Sequence, residues 1–113
     1  MRVLLIEDDR AMSRSVERML DEASIEHETA GTGELALEFA RTYEFDVVML
    51  DLTLPDISGH EVLRQLRQLR INTPVLILSG DAETTSKVTG FGAGADDYVT
   101  KPFDRQELMA RLH

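Results

Sequence analysis

The chain has 113 residues, 42% of them hydrophobic and 29% charged, with 12 Lys and Arg against 21 Asp and Glu for a formal net charge of -9. One domain of this length buries roughly two-thirds of the surface its unfolded form exposes, so an ordinary core suffices, and the absence of cysteine excludes thiol catalysis, Cys-ligated zinc and a disulfide framework at once. The acidic balance argues against this segment gripping nucleic acid itself, because neutralising phosphate needs a basic surface.

In chain order, Val3-Leu4-Leu5-Ile6 reads as a strand buried on both faces. Glu7, Asp8 and Asp9 interrupt it too early for a leader peptide or a membrane span, so the chain reads as cytoplasmic. Met12, Val16, Met19 and Leu20 then recur at helical spacing. A weaker edge strand is predicted over residues 25–29. After the break at Gly31-Thr32-Gly33, a second helical stripe takes Leu35, Ala36, Phe39, Ala40 and Tyr43. Val47-Val48-Met49-Leu50 is a buried strand, followed by a third stripe of Val62, Leu63, Leu66 and Leu69 backed by Arg64, Arg67 and Arg70. Val75-Leu76-Ile77-Leu78 is another strand. A poorly amphipathic fourth helix is predicted over 84–91 and a short strand over 97–99. Asp104 can cap a fifth helix that turns Leu108 and Leu112 inward. That helix is still amphipathic at Leu112-His113, so the chain reads as one domain, 1–113, cut from something longer. Five β-α units imply an α/β fold, a doubly wound parallel sheet with helices on both faces.

In such sheets ligands bind outside the carboxyl ends of the strands, near the point where the strand order reverses. The residues there are Glu7, Asp8 and Asp9 after the first strand, Asp51 after the third, Ser79 and Gly80 after the fourth, and Lys101-Pro102 after the fifth. Carboxylates, one hydroxyl and one lysine would share a rim without histidine, which leaves out a serine nucleophile with a histidine base. The crowded carboxylates call for a hard divalent cation, and Mg2+ matches an oxygen donor set of this kind. Beside it, Asp51 could act as a nucleophile on a phosphoryl group, with Lys101 and Ser79 stabilising the transferring oxygens.

These residues resemble the receiver domain of two-component response regulators. The likeness runs from Leu4-Leu5-Ile6-Glu7-Asp8-Asp9 through Leu50-Asp51-Leu52-Thr53-Leu54-Pro55-Asp56-Ile57-Ser58-Gly59 and Ile77-Leu78-Ser79-Gly80 to Gly94-Ala95-Asp96-Asp97-Tyr98 and Lys101-Pro102-Phe103. The resemblance implies a flavodoxin-like and CheY-like sheet of order 2-1-3-4-5, with Asp51 as phosphoacceptor and Glu7 and Asp8 as the acidic pair. It further implies that Asp8, Asp51 and the Thr53 carbonyl hold Mg2+, that Lys101 contacts the phosphoryl group, and that the Lys101-Pro102 bond is cis. Asp9 lies one place beyond the acidic pair and is not expected as a ligand. Ser79 and Tyr98 would be the switch residues, Tyr98 following the hydroxyl inward.

Asp96, Asp97, Lys87, Glu107 and Arg111 resemble the OmpR/PhoB subgroup, whose outputs are winged-helix DNA-binding domains. This implies a homodimer through the fourth helix, fifth strand and fifth helix, with Lys87 opposite Glu107 and Asp97 opposite Arg111 in the partner copy. A sensor histidine kinase or histidine phosphotransferase would supply the phosphoryl group, and DNA would be reached only through a further effector domain, with no membrane partner. A receiver is a signalling switch that modifies itself, not an enzyme with external turnover.

Taken singly, each signal has a plainer explanation: Glu7-Asp8-Asp9 as a solvated helix start, Asp51 as a turn residue, Ser79-Gly80-Asp81 as a capped loop, Lys101-Pro102 as a strand end and the dimer-face charges as ordinary surface. Their joint placement on one rim favours the functional reading. Two other functions compete. A phosphatase of the haloacid dehalogenase type wants a second acidic residue two places after the nucleophile, where this chain has Thr53. A degenerate receiver serving as a constitutive docking module is opposed by the intact Glu7, Asp8, Asp51, Ser79 and Lys101. His27, His60 and His113 show no metal spacing and are expected to face solvent.

Overall fold

The strands β1 (Arg2–Ile6), β2 (Glu26–Ala30), β3 (Val47–Asp51), β4 (Val75–Ser79) and β5 (Asp97–Thr100) form one parallel sheet in the order β2-β1-β3-β4-β5. They are connected by α1 (Arg10–Glu22), α2 (Gly33–Thr42) and α3 (Gly59–Gln68), and a C-terminal helix (Arg105–Leu112) follows β5. This computed structural model describes residues 1–79, 96–100 and 104–112. The helix expected over 84–91 lies outside them.

The alternation of side chains along each strand divides the core in two. On one face Val3, Leu5, Met49, Leu76, Leu78 and Val99 pack with Val16 and Leu20 of α1 and with Leu108 and Leu112 of the C-terminal helix. On the other, Leu4, Ile6, Val48, Leu50, Ile77 and Tyr98 pack with Ala36 and Leu37 of α2 and with Val62, Leu63 and Leu66 of α3. Both faces being covered, Val3 to Ile6 are all fully buried, which is why the run carries no polar residue. Each such Leu or Ile contributes about 1.5–3 kcal/mol through burial.

The helix starts are capped by their own side chains. Asp9 accepts from the Ala11 and Met12 amides, Thr32 from Leu35, Ser58 from Glu61, and Asp104 from Glu107. Two helix ends are closed without glycine. Ser24 (φ 58°) and Arg70 (φ 62°) adopt the left-handed conformation. The amides of Ser24 and Ile25 return to the carbonyls of Asp21 and Leu20, and those of Arg70 and Ile71 to Arg67 and Leu66.

Several expectations need correction. In α2 the buried residues are Gly33, Ala36 and Leu37, whereas Leu35 is 37% and Tyr43 45% exposed. Starting at Gly33 rotates the inner face onto that set, and Tyr43 lies past the helix end, where the Arg2 guanidinium stacks on its ring at 5.0 Å. Leu69 is also exposed, because α3 stops at Gln68 and Leu69 is its cap. Neither described histidine simply faces solvent. His27 is within 2.8 Å of Asp21 Oδ1, and His60 is partly buried with Nδ1 enclosed and without a hydrogen-bond partner. His113 lies outside the described residues.

Candidate functional site

Ile6 of β1 pairs with Leu50 of β3, so the next residues, Glu7 and Asp51, reach the carboxyl end of the sheet side by side. The strand order reverses here, with β2 on one side of β1 and β3 on the other. The Glu7 amide donates to the Ala30 carbonyl at 3.0 Å, continuing the β1–β2 ladder by one residue and fixing the point at which the acidic pair leaves the sheet. Glu7 is 2% and Asp51 6% exposed, while Asp8 is open to solvent. One carboxylate oxygen from each of the three lies within 4.8 Å of the others. Asp9 takes no part, since its Oδ1 accepts from the Ala11 and Met12 amides at 2.9 and 3.2 Å. Its own amide donates to Glu7 Oε2 at 3.3 Å, which ties the start of α1 to the cluster.

At such separations two like unit charges repel by about 3 kcal/mol in an effective dielectric of about 20, and burial removes the water that would relieve them. A hard divalent cation offsets both costs, and a set of two enclosed carboxylates and one solvent-open carboxylate suits an ion that keeps part of its hydration shell, as Mg2+ does. The residues present therefore fit such an ion. Beside the acidic pair, Arg10, Ser13, Arg14 and Glu17 of α1 and Thr29 of β2 line a shallow cavity that continues the rim. Glu17 accepts from the Thr29 hydroxyl across it.

The segment joining β3 to α3, which carries Thr53, is held at both ends. The Gly59 amide donates to the Leu52 carbonyl at 2.9 Å. A Cβ on Gly59 would stand 2.6 Å from the Asp51 carbonyl oxygen and from Leu52 Cα, so only glycine lets α3 start this close to the strand end. The Asp56 carboxylate accepts from the Gly33 and Glu34 amides, both at 2.9 Å, at the start of α2. These two bonds, Gly33 first, hold its pKa below the ordinary 3.8. In the first turn of α3, Arg64 and then Gln65 bond the Glu61 carboxylate and lower its pKa from 4.5 to about 2, with the Arg64 pKa raised in return.

Asp56 and Gly59 escaped sequence reasoning as functional positions. Asp56 finds its partners 22 and 23 residues away, which no local pattern announces, although Ser58-Gly59 before an apolar stripe is a visible helix start.

The remaining expected residues divide. Ser79 ends β4, but its side chain, together with Lys101, Pro102 and the bond between them, and Lys87, lies outside the described residues. Tyr98 is 8% exposed and belongs to the core shared with α2 and α3, opposite Ile77 in register. Asp97 pairs with Arg111 within the chain at 3.2 Å. Asp96 is engaged internally too. Its Oδ2 accepts from the Val75 amide at 2.9 Å and meets Arg67 Nη2 at 3.4 Å, while Arg67 Nη1 donates to the carbonyls of Ile71 and Thr73. Glu107 is exposed in the first turn of the C-terminal helix. Among the described residues no helix is long and apolar enough to cross a membrane.

Comparison with known proteins agrees with this geometry. The family model for the response regulator receiver domain matches residues 3–113. The cell cycle response regulator CtrA of Brucella ovis is 53% identical over all 113 residues, which cover 49% of its length. The chain thus spans about half the length of the curated relatives it matches. The segments Arg70-Ile71-Asn72-Thr73-Pro74 and Gly90-Phe91-Gly92 are similar to CtrA in sequence, the second lying outside the described residues. Among solved structures, the receiver domain of the Francisella response regulator 1452 superposes with TM-score 0.93 at 37% identity, over 98% of this chain and 92% of that one. The receiver domain of DrrB activated with BeF3 gives 0.88 at 38% identity, over 98% and 92%. Longer DrrB from Thermotoga maritima, described as an OmpR/PhoB homologue, gives 0.85 at 38% identity, over 98% and 50%.

Proposed function

The chain belongs to the response regulator receiver domain family, and from that premise we propose that it is a phosphorylation-dependent switch in which Asp51 accepts a phosphoryl group from a phosphohistidine on a sensor kinase or phosphotransferase. The observation that carries this reading is the Asp51 carboxylate, nearly buried at the end of β3 and within 4.8 Å of Glu7 and Asp8. A carboxylate oxygen of Asp51 attacks phosphorus, the P–N bond breaks, the imidazole leaves and takes a proton from solvent, and an acyl phosphate remains. Glu7, Asp8, Asp51 and the Thr53 carbonyl are the groups that would hold Mg2+. When bound, that ion supplies neutralisation of the phosphoryl oxygens. Lys101 contacts the phosphoryl group, and the Ser79 hydroxyl turns toward it. The donor docks over the rim beside α1, where Arg10 and Arg14 add positive charge to an otherwise acidic face.

Phosphorylation adds nearly two negative charges at one point, and it acts only by favouring one of two states of the surface around β5. Tyr98 is the aromatic that follows Ser79. In the phosphorylated state this surface pairs two copies, with Lys87 opposite Glu107 and Asp97 opposite Arg111. The present Asp97–Arg111 pair within one chain would then exchange for the equivalent pair between copies, at little electrostatic cost because both ends are solvent-accessible. DNA is contacted by an effector domain of the longer protein, in keeping with the CtrA relatives and the OmpR/PhoB homologue, and the process controlled belongs to the cell cycle. The BeF3-activated DrrB receiver domain supports the phosphoryl-dependent step.

The test is intact-protein mass spectrometry after treatment with a small-molecule phosphodonor and Mg2+. The wild-type chain gains one phosphoryl group and Asp51→Asn gains none. An unmodified wild type would favour a constitutive docking module instead.

A further inference from the structure

The segment between Asp51 and α3 carries the only backbone oxygen assigned to the metal site, that of Thr53, yet Thr53 is exposed and lies in no helix or strand. Its position is therefore set by what holds the segment on either side. On the near side the Gly59 amide bonds the Leu52 carbonyl at 2.9 Å. Across the sheet's surface the segment reaches α2, where both oxygens of Asp56 are used, one by the Gly33 amide and one by the Glu34 amide. Ile57 locks the same junction, because a Cβ on Gly33 would stand 2.5 Å from Ile57 Cγ1 and 2.8 Å from Val62 Cγ2. Such a two-point carboxylate clasp is directional, and each charge-assisted bond is stronger than a neutral one.

We propose that Asp56 is a positioning residue for the metal site: by clasping the start of α2 it fixes the segment that presents the Thr53 carbonyl, so that affinity for the divalent ion depends on a side chain that does not touch it. The inference rests on the reading of Glu7, Asp8, Asp51 and Thr53 as the metal site.

Isothermal titration of the protein with Mg2+ alone, below the unfolding temperature, tests it with Asp56→Ala and Asp56→Asn. Both substitutions remove the same charge, but asparagine keeps one carbonyl acceptor for the α2 amides. Asp56→Ala should weaken Mg2+ binding by about tenfold, the low end of what loss of a group orienting a metal ligand produces. Asp56→Asn should recover to within about threefold of wild type. Hydrogen exchange at Gly33 and Glu34 should be faster in the alanine variant than in the asparagine variant. Equal weakening in both variants would reduce Asp56 to a distant charge, and unchanged affinity in Asp56→Ala with fast exchange at Gly33 and Glu34 would reduce it to a helix cap. Either result overturns the inference. A wild-type chain that takes up no Mg2+ would instead overturn the reading of the site itself.

Discussion

At Gly59 a single missing methyl group decides how near α3 comes to the end of β3. The atoms that an added Cβ would meet, the Asp51 carbonyl oxygen and Leu52 Cα at 2.6 Å, are backbone, so no rotamer change relieves the clash. Gly59→Ala is therefore expected to destabilise the fold by about 1–3 kcal/mol through overpacking, read as a lower urea midpoint, and to slow phosphoryl uptake because the strand end shifts. An alanine variant with the wild-type midpoint would mean that the segment yields freely. The acidic trio was legible in the sequence because Glu7 and Asp8 come just after one apolar strand and Asp51 ends another, and parallel topology carries such residues to one rim. Asp56 was not, because its meaning comes from amides more than twenty residues earlier.

Among the elements, helix ends were harder to read than helix faces, and Ser24 and Arg70 explain why. Both helices close with the same paired carbonyl returns, but neither uses the glycine that would mark the stop. With no such mark the third apolar stripe ran on to Leu69, which caps α3 and faces water. The left-handed conformation costs a residue with a side chain about 1–2 kcal/mol, while glycine loses about 0.4–1 kcal/mol more chain entropy on folding. Ser24→Gly should therefore stabilise the protein by about 0.5 kcal/mol, seen as a rise of about 2–3 °C in Tm. A fall in Tm would show that the Ser24 side chain contributes something the backbone does not.

For the whole molecule, alternation of strand and helix was enough to give the doubly wound architecture, since the apolar runs Val3–Ile6, Val47–Leu50 and Val75–Leu78 carry no charge and each described helix keeps an inner face. Solvent electrostatics was less visible. Asp56 and Glu61 both have pKa values below the ordinary 3.8 and 4.5, Asp56 through the α2 amides and Glu61, at about 2, through Arg64. A carboxylate with a depressed folded-state pKa contributes stability that is present above its unfolded value and lost as pH falls toward the folded one. Urea midpoints should accordingly hold steady from pH 7 to about pH 5 and fall below it, and Glu61→Gln should flatten part of that fall. A profile in Glu61→Gln identical to wild type would remove the Glu61–Arg64 pair from the account.

The central claim, that one buried aspartate beside two further carboxylates is the phosphoryl acceptor, is tested most directly by locating the modified residue. After donor treatment, borohydride reduces an acyl phosphate to an alcohol, and peptide mapping then finds the altered position. The expected result is reduction at Asp51 alone, dependent on Mg2+; reduction at Asp8 or another carboxylate, or at Asp51 to the same extent in excess chelator, would contradict it.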